Sequence, residues 1–117
     1  MRGLGLATVL ALAACVAGGR AGAQAQPHPA DVEAGRMLAL HDCDACHIVA
    51  AQQQLPPLVP GYGPSFFNIA NRPDVTAQSL EQFLSRPHPL TNMASPGLTP
   101  VQVADVTAYI LTLRGQH

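Results

Sequence analysis

The chain has 117 residues, a formal net charge of −1, and six basic residues that are all arginine. A weakly acidic chain without lysine has no basic patch for nucleic acid or for an anionic lipid surface, and those partners are excluded. Of three cysteines, only two lie in the part of the chain that reads as a folded domain.

Residues 1–23 read as a secretory signal peptide. Arg2 precedes an alanine- and leucine-rich run over residues 4–17, and the small residues Ala21-Gly22-Ala23 form an A-x-A cleavage site. The run falls short of the roughly 20 apolar residues that a membrane-spanning helix needs. Within it, Leu12-Ala13-Ala14-Cys15 has the form of a lipobox, in which the cysteine is lipidated and becomes the new N-terminus. Cys15 is therefore either removed or acylated; in the second case the protein is held at the membrane by a lipid anchor. Cleavage after Ala23 leaves 94 of the 117 residues and takes away Arg2 and Arg20, so the formal charge becomes about −3. A domain of that size leans on a disulfide, a metal or a cofactor for part of its stability.

Residues 24–30 are polar, carry two prolines and lack periodicity, as expected of a flexible leader. The domain proper spans 31–117. From Asp31, "DVEAGRMLALHD" predicts a helix, with acids in its first turn and Val32, Gly35, Leu38 and Ala39 at helical spacing. "QQQLPPLVPGYGP" over 52–64 holds four prolines and two glycines in thirteen residues, which rules out a regular element and reads as an ordered loop wrapped over something. A short helix fits 65–71, stopped by Pro73. Another fits 76–85, with Leu80, Phe83 and Leu84 on one side and Pro87 as terminator. The last helix has a strong start signal: Thr99 as N-cap, Pro100 at the first helical position and Gln102 completing a capping box. Val103, Val106, Ile110 and Leu113 then recur at helical spacing with Tyr109 beside them. No strand-like alternation occurs, so the fold class is all-α: three main helices and a short one.

The chemistry is concentrated in "HDCDACHIV", residues 41–49. Zinc needs four ligands in a closed structural site, yet beyond Cys43, Cys46 and His47 only scattered histidines remain. A thiol-disulfide site belongs at a helix head after a strand, and no strand is predicted. The third reading uses every residue. Two cysteines three apart point the same way, so both sulfurs can form thioethers with the two vinyl groups of one haem, and the next residue, His47, brings its imidazole under the iron; Cys-x-x-Cys-His is the c-type haem attachment signature. The expected cofactor is one covalently attached haem c. For the opposite side of the iron, Met93 in "NMASPGLTP" is the first candidate, because thioether sulfur suits low-spin haem iron, and His88 in "RPHPL" is its rival. Met37 is read as packing or surface, and His41 as solvated surface.

With Cys43, Cys46 and His47 in an exported chain of this size, the whole mature sequence resembles the class I, monohaem cytochromes c of exported bacterial type. The family's first helix has a small residue eight positions before the first cysteine, as Gly35 stands before Cys43. Its haem loop ends in Gly-Pro, as in Gly63-Pro64, and the resemblance implies that the Pro64 carbonyl accepts a hydrogen bond from His47, a partner that orients the imidazole. A distal methionine precedes a final "LT" helix start, which implies Met93 as the axial ligand opposite His47. Ala94 departs from the common Met-Pro turn. The resemblance also matches Gly35 with Tyr109 at the crossing of the first and last helices. Arg72 and Arg86 are candidates to neutralise the haem propionates, and Tyr62 and Asn92 are lesser candidates as hydrogen-bond donors at the haem or at Met93.

The implied function is that of a periplasmic electron carrier, cycling Fe(III) and Fe(II) between redox partner proteins such as a dehydrogenase or a membrane electron-transfer complex. It has no catalytic acid, base or nucleophile of its own, whether it acts alone or as a subunit of a larger oxidoreductase. Absent lysines argue against docking through a lysine ring. The alternative is a haem module that senses gas or redox state, with the distal position open or weakly held.

Overall fold

The computed structural model describes residues 28–58, 61, 63–86 and 97–117. The expectations for residues 1–27, and for Tyr62, Pro87, His88, Asn92, Met93 and Ala94, fall outside these described residues. Among these described residues four helices follow in chain order: α1 (Val32–Asp42), α2 (Phe66–Ala70), α3 (Ala77–Leu84) and α4 (Pro100–Thr112). The fold is all-α, with three main helices and the short α2. Among the described residues no helix is long and apolar enough to cross a membrane.

Each helix starts where a side chain can accept the first orphan N–H groups. Asp31 accepts from the N–H of Glu33 and Ala34 at 2.9 and 3.0 Å. Ser65 caps α2 through Asn68 N–H. Thr76 and Ser79 form a reciprocal box at α3, and Thr99 and Gln102 form the predicted one at α4.

Helix α4 is the centre of the fold, with α1, α2 and α3 all packed against it. The predicted stripe of Val103, Val106, Ile110 and Leu113 is buried, together with Tyr109. Facing it are Ala39, Phe66, Phe67, Ala70 and Leu80. The α1 stripe is narrower than its spacing predicts: Gly35 and Ala39 are buried and Leu38 is half-buried, whereas Val32 is exposed. Val32 is the first residue of the helix.

The crossing of α1 and α4 turns on Gly35. A Cβ built there would lie 2.0 Å from the carbonyl oxygen of Asp105 and 2.9 Å from the nitrogen of Val106. The bare glycine therefore meets the backbone of α4 directly. A second tie lies beside it, where the Asp31 N–H donates to the buried Asp105 carboxylate at 2.8 Å.

Tyr109 ties α4 to the segment after His47, its hydroxyl donating to the carbonyl of Val49 at 2.7 Å. Both residues are buried, so the ring without its hydroxyl would leave that carbonyl unsatisfied at almost unchanged volume. Tyr109→Phe is expected to lose about 1–2 kcal/mol of stability. The check is denaturant unfolding, in which the midpoint falls and the slope stays the same.

The C-terminus is closed by polar clamps. Arg114 donates to the carbonyls of Ala70 and Val75 at 2.9 and 2.7 Å, and the Asn71 side chain bonds the N–H of Gly115 and the carbonyl of Gln116. These bonds fasten the end of α4 to the α2–α3 connection.

Candidate functional site

Helix α1 delivers Cys43 as its C-cap, and a tight turn follows. The Cys43 carbonyl accepts from the N–H of Cys46 at 3.2 Å and of His47 at 3.0 Å. This turn brings the two half-buried cysteines and His47 together at the end of one helix. Burial, reinforced by the neighbouring carboxylates of Asp42 and Asp44, pushes the Cys43 thiol up to about 11. At neutral pH it is a thiol.

The His47 imidazole is held on three sides. Its Nδ1 donates to the Pro64 carbonyl across 2.7 Å. The Phe66 ring lies 5.4 Å away, tilted by 51°. Gly63 lies against its face, so close that a Cβ there would fall 2.5 Å from Cε1 and 2.6 Å from Nδ1. With the proton on Nδ1, the lone pair of the ring is on Nε2, the nitrogen suited to a metal. The Gly-Pro pair thus does two jobs: the proline carbonyl sets the tautomer and the bare glycine leaves room for the ring.

The backbone after His47 is pinned as well. The Ile48 carbonyl accepts from Phe66 N–H at 2.9 Å. Val49, fully buried, donates to the Gln53 side chain at 2.8 Å and accepts from Tyr109. Neither Gln53 nor the tie from Tyr109 to Val49 was expected from the sequence. Gln53 is the middle of three glutamines, and only three-dimensional proximity distinguishes it from Gln52 and Gln54.

Among the described residues, no group of three or more His, Cys, Asp or Glu can hold a metal ion by itself. A family model described as "Cytochrome c" matches residues 32–114. The cytochrome c-552 of Bradyrhizobium diazoefficiens is 39% identical over 85 residues, which cover 73% of this chain and 77% of that protein. The chain belongs to the cytochrome c family. No solved structure matches it.

As a cytochrome c family member the chain is an electron-transfer protein with a covalently attached haem c, and it exchanges electrons with redox partner proteins. Membership implies a covalently attached haem c, the cofactor of one of the three readings of the Cys-x-x-Cys-His cluster. The residues present fit that group: two thiols on one turn, an imidazole whose proton is already bonded, and a glycine where any side chain would displace the ring.

The remaining candidates are spread out. Arg72 directs Nε and Nη2 at Asp74, at 3.1 and 2.6 Å, on an exposed turn. Arg86 is exposed just after α3. His41 is exposed and its Nδ1 lies 2.5 Å from Asp42 Oδ1; this contact raises its pKa. Met37 is exposed on α1.

Proposed function

We propose that this protein is an exported monohaem electron carrier in which Cys43 and Cys46 hold the haem and His47 and Met93 are the axial ligands of its iron. The hydrogen bond from His47 Nδ1 to the Pro64 carbonyl carries the reading, because it orients the imidazole as an iron ligand requires. When bound, the haem supplies a one-electron couple between Fe(III) and Fe(II), and a Met/His pair raises its potential.

The chain's own contribution is rigidity and exclusion of water. Pro64 and Gly63 hold the His47 ring in place, and Phe66 covers it. The core on α4 keeps that arrangement the same in both redox states. Arg72 and Arg86 are the candidates for the haem propionates. With both axial positions filled there is no site for a substrate, and electrons pass through the haem edge.

Residues 1–23 direct export to the periplasm, with cleavage after Ala23 or lipidation at Cys15. The donor and acceptor are a dehydrogenase or a membrane electron-transfer complex. Partner contact is apolar in character: Leu55 and Leu58, in the proline-rich loop, stand 71% and 82% exposed, and no lysine is present to form a basic docking ring.

The test is the absorption spectrum of the oxidised and reduced holoprotein beside that of Met93→Ala, both made in a periplasmic expression system with haem-attachment machinery. A low-spin haem that stays bound under denaturing conditions is expected, with a methionine-to-iron charge-transfer band that Met93→Ala lacks. A high-spin wild type would leave the distal position open and bring the ligand-binding alternative forward, a low-spin wild type without that band would remove Met93 from the iron and bring His88 forward, and a band that survives the substitution would assign the thioether to another methionine.

A further inference from the structure

The half-buried Gln53 side chain, beside the Cys-x-x-Cys-His turn, meets four backbone groups at once. Gln53 Oε1 accepts from Val49 N–H at 2.8 Å. Its Nε2 donates to the Leu55 carbonyl at 2.9 Å, and lies 3.4 Å from the carbonyl of His47 and 3.5 Å from that of Asp44. The chemistry assigns the orientation of the amide: an N–H must meet the oxygen, and three carbonyls must meet the nitrogen. Two hydrogens serve three acceptors, so one goes to Leu55 and the other is shared between His47 and Asp44. The shared contacts are long and individually weak. They nevertheless fall inside the Cys-x-x-Cys-His turn itself.

We propose that Gln53 is a positioning residue for the haem ligand: it clamps the backbone on both sides of the His47 peptide, and through it holds the imidazole at the Pro64 carbonyl. The argument rests on the reading of His47 as the iron ligand. His47 is tethered to the fold from one side by Pro64 and Phe66, which follow the proline-rich loop. Gln53 supplies the tether from the other side, at the start of that loop. The eleven-residue span from Gln53 to Gly63 contains three of the chain's prolines and, among its described residues, no regular element, so at the loop entrance the side chain of Gln53 adds bonds to those that His47 and Ile48 make with Pro64 and Phe66 at its far end. A side chain that bonds Asp44, His47, Val49 and Leu55 at once makes the turn and the loop entrance one unit. The polar contacts are internal to the chain, so the role is independent of any partner.

The experiment uses the haem-loaded protein and two substitutions. Gln53→Leu removes every bond at similar size. Gln53→Glu keeps the acceptor for Val49 N–H and sets a carboxylate against the three carbonyls. Arg114→Ala, whose bonds close the opposite end of the fold, is the control for general destabilisation. The readout is the solvent exchange of the His47 Nδ1 proton, followed by NMR in the reduced protein. Both Gln53 variants are expected to exchange that proton about tenfold faster than the wild type, the factor that corresponds to the loss of one good hydrogen bond. Arg114→Ala is expected to leave it within about twofold while lowering the melting temperature. Wild-type exchange in both Gln53 variants, or equal acceleration in Arg114→Ala, would overturn the proposal and leave Gln53 a stabilising residue only. A His47 ring in the wild type without the strong ring-current shift of an axial ligand would instead refute the ligand reading, and this proposal with it.

Discussion

Gly35→Ala is expected to destabilise the protein by about 2 kcal/mol, although alanine is the better helix former by about 1 kcal/mol. The sign depends on what the new methyl group meets. A Cβ at position 35 lies 2.0 Å from the Asp105 carbonyl oxygen and 2.4 Å from its carbon. Both atoms belong to the backbone of α4, which cannot rotate away as a side chain would. Helices α1 and α4 have to separate, and the buried neighbours Ala39, Val106 and Tyr109 lose contact with them. Overpacking of this kind costs up to about 3 kcal/mol, so it outweighs the gain in propensity. The bond from Asp31 N–H to Asp105 sits at the same crossing and would be stretched by the same movement. Denaturant unfolding of the haem-loaded protein is the check. An unchanged or raised midpoint would mean that the helix crossing is softer than the close approach implies.

Gly63→Ala is expected to disturb the haem while leaving the helices in place. Its Cβ would fall 2.5, 2.6 and 2.9 Å from three atoms of the His47 ring. The ring is backed by Phe66, so it cannot simply tilt aside, and its bond to Pro64 lengthens or breaks. A histidine that loses an acceptor at Nδ1 becomes a poorer donor to iron, which disfavours Fe(III). The midpoint potential is therefore expected to rise by about 20–60 mV, since a tenfold change in a one-electron equilibrium is ~59 mV. Redox titration alongside far-UV circular dichroism separates this result from unfolding. A potential equal to the wild type would show that the ring does not depend on the bare face of Gly63.

Local features were legible because local chemistry decides them. The capping box of Thr99 and Gln102, the stop at Pro73 and the periodic stripe on α4 are short-range signals that the fold does not override. The Cys43-x-x-Cys46-His47 cluster is of the same kind, since residues on one turn need no tertiary contact to point together. The resemblance to the cytochromes c extended this to Pro64, which lies 17 residues from His47 and is bonded to it.

Other contacts had no local signal. Val32 satisfies the helical spacing yet is exposed. Gly35 was matched with Tyr109, and the nearest atoms are backbone atoms of Asp105 and Val106. Arg72 directs two of its N–H groups at Asp74, two residues on, a contact that the sequence reading did not include.

The sequence by itself determined the four described helices, the Cys-x-x-Cys-His cluster and the family, because periodicity, caps and a five-residue motif are properties of neighbours along the chain. Only the tertiary structure decided which groups hold that cluster in place. Gln53 is bonded to four residues of the haem turn and loop, and Tyr109 reaches Val49 across 60 residues. A glutamine among glutamines, or a tyrosine in an apolar stripe, acquires such a role only when folding brings an unsatisfied backbone group within hydrogen-bond distance.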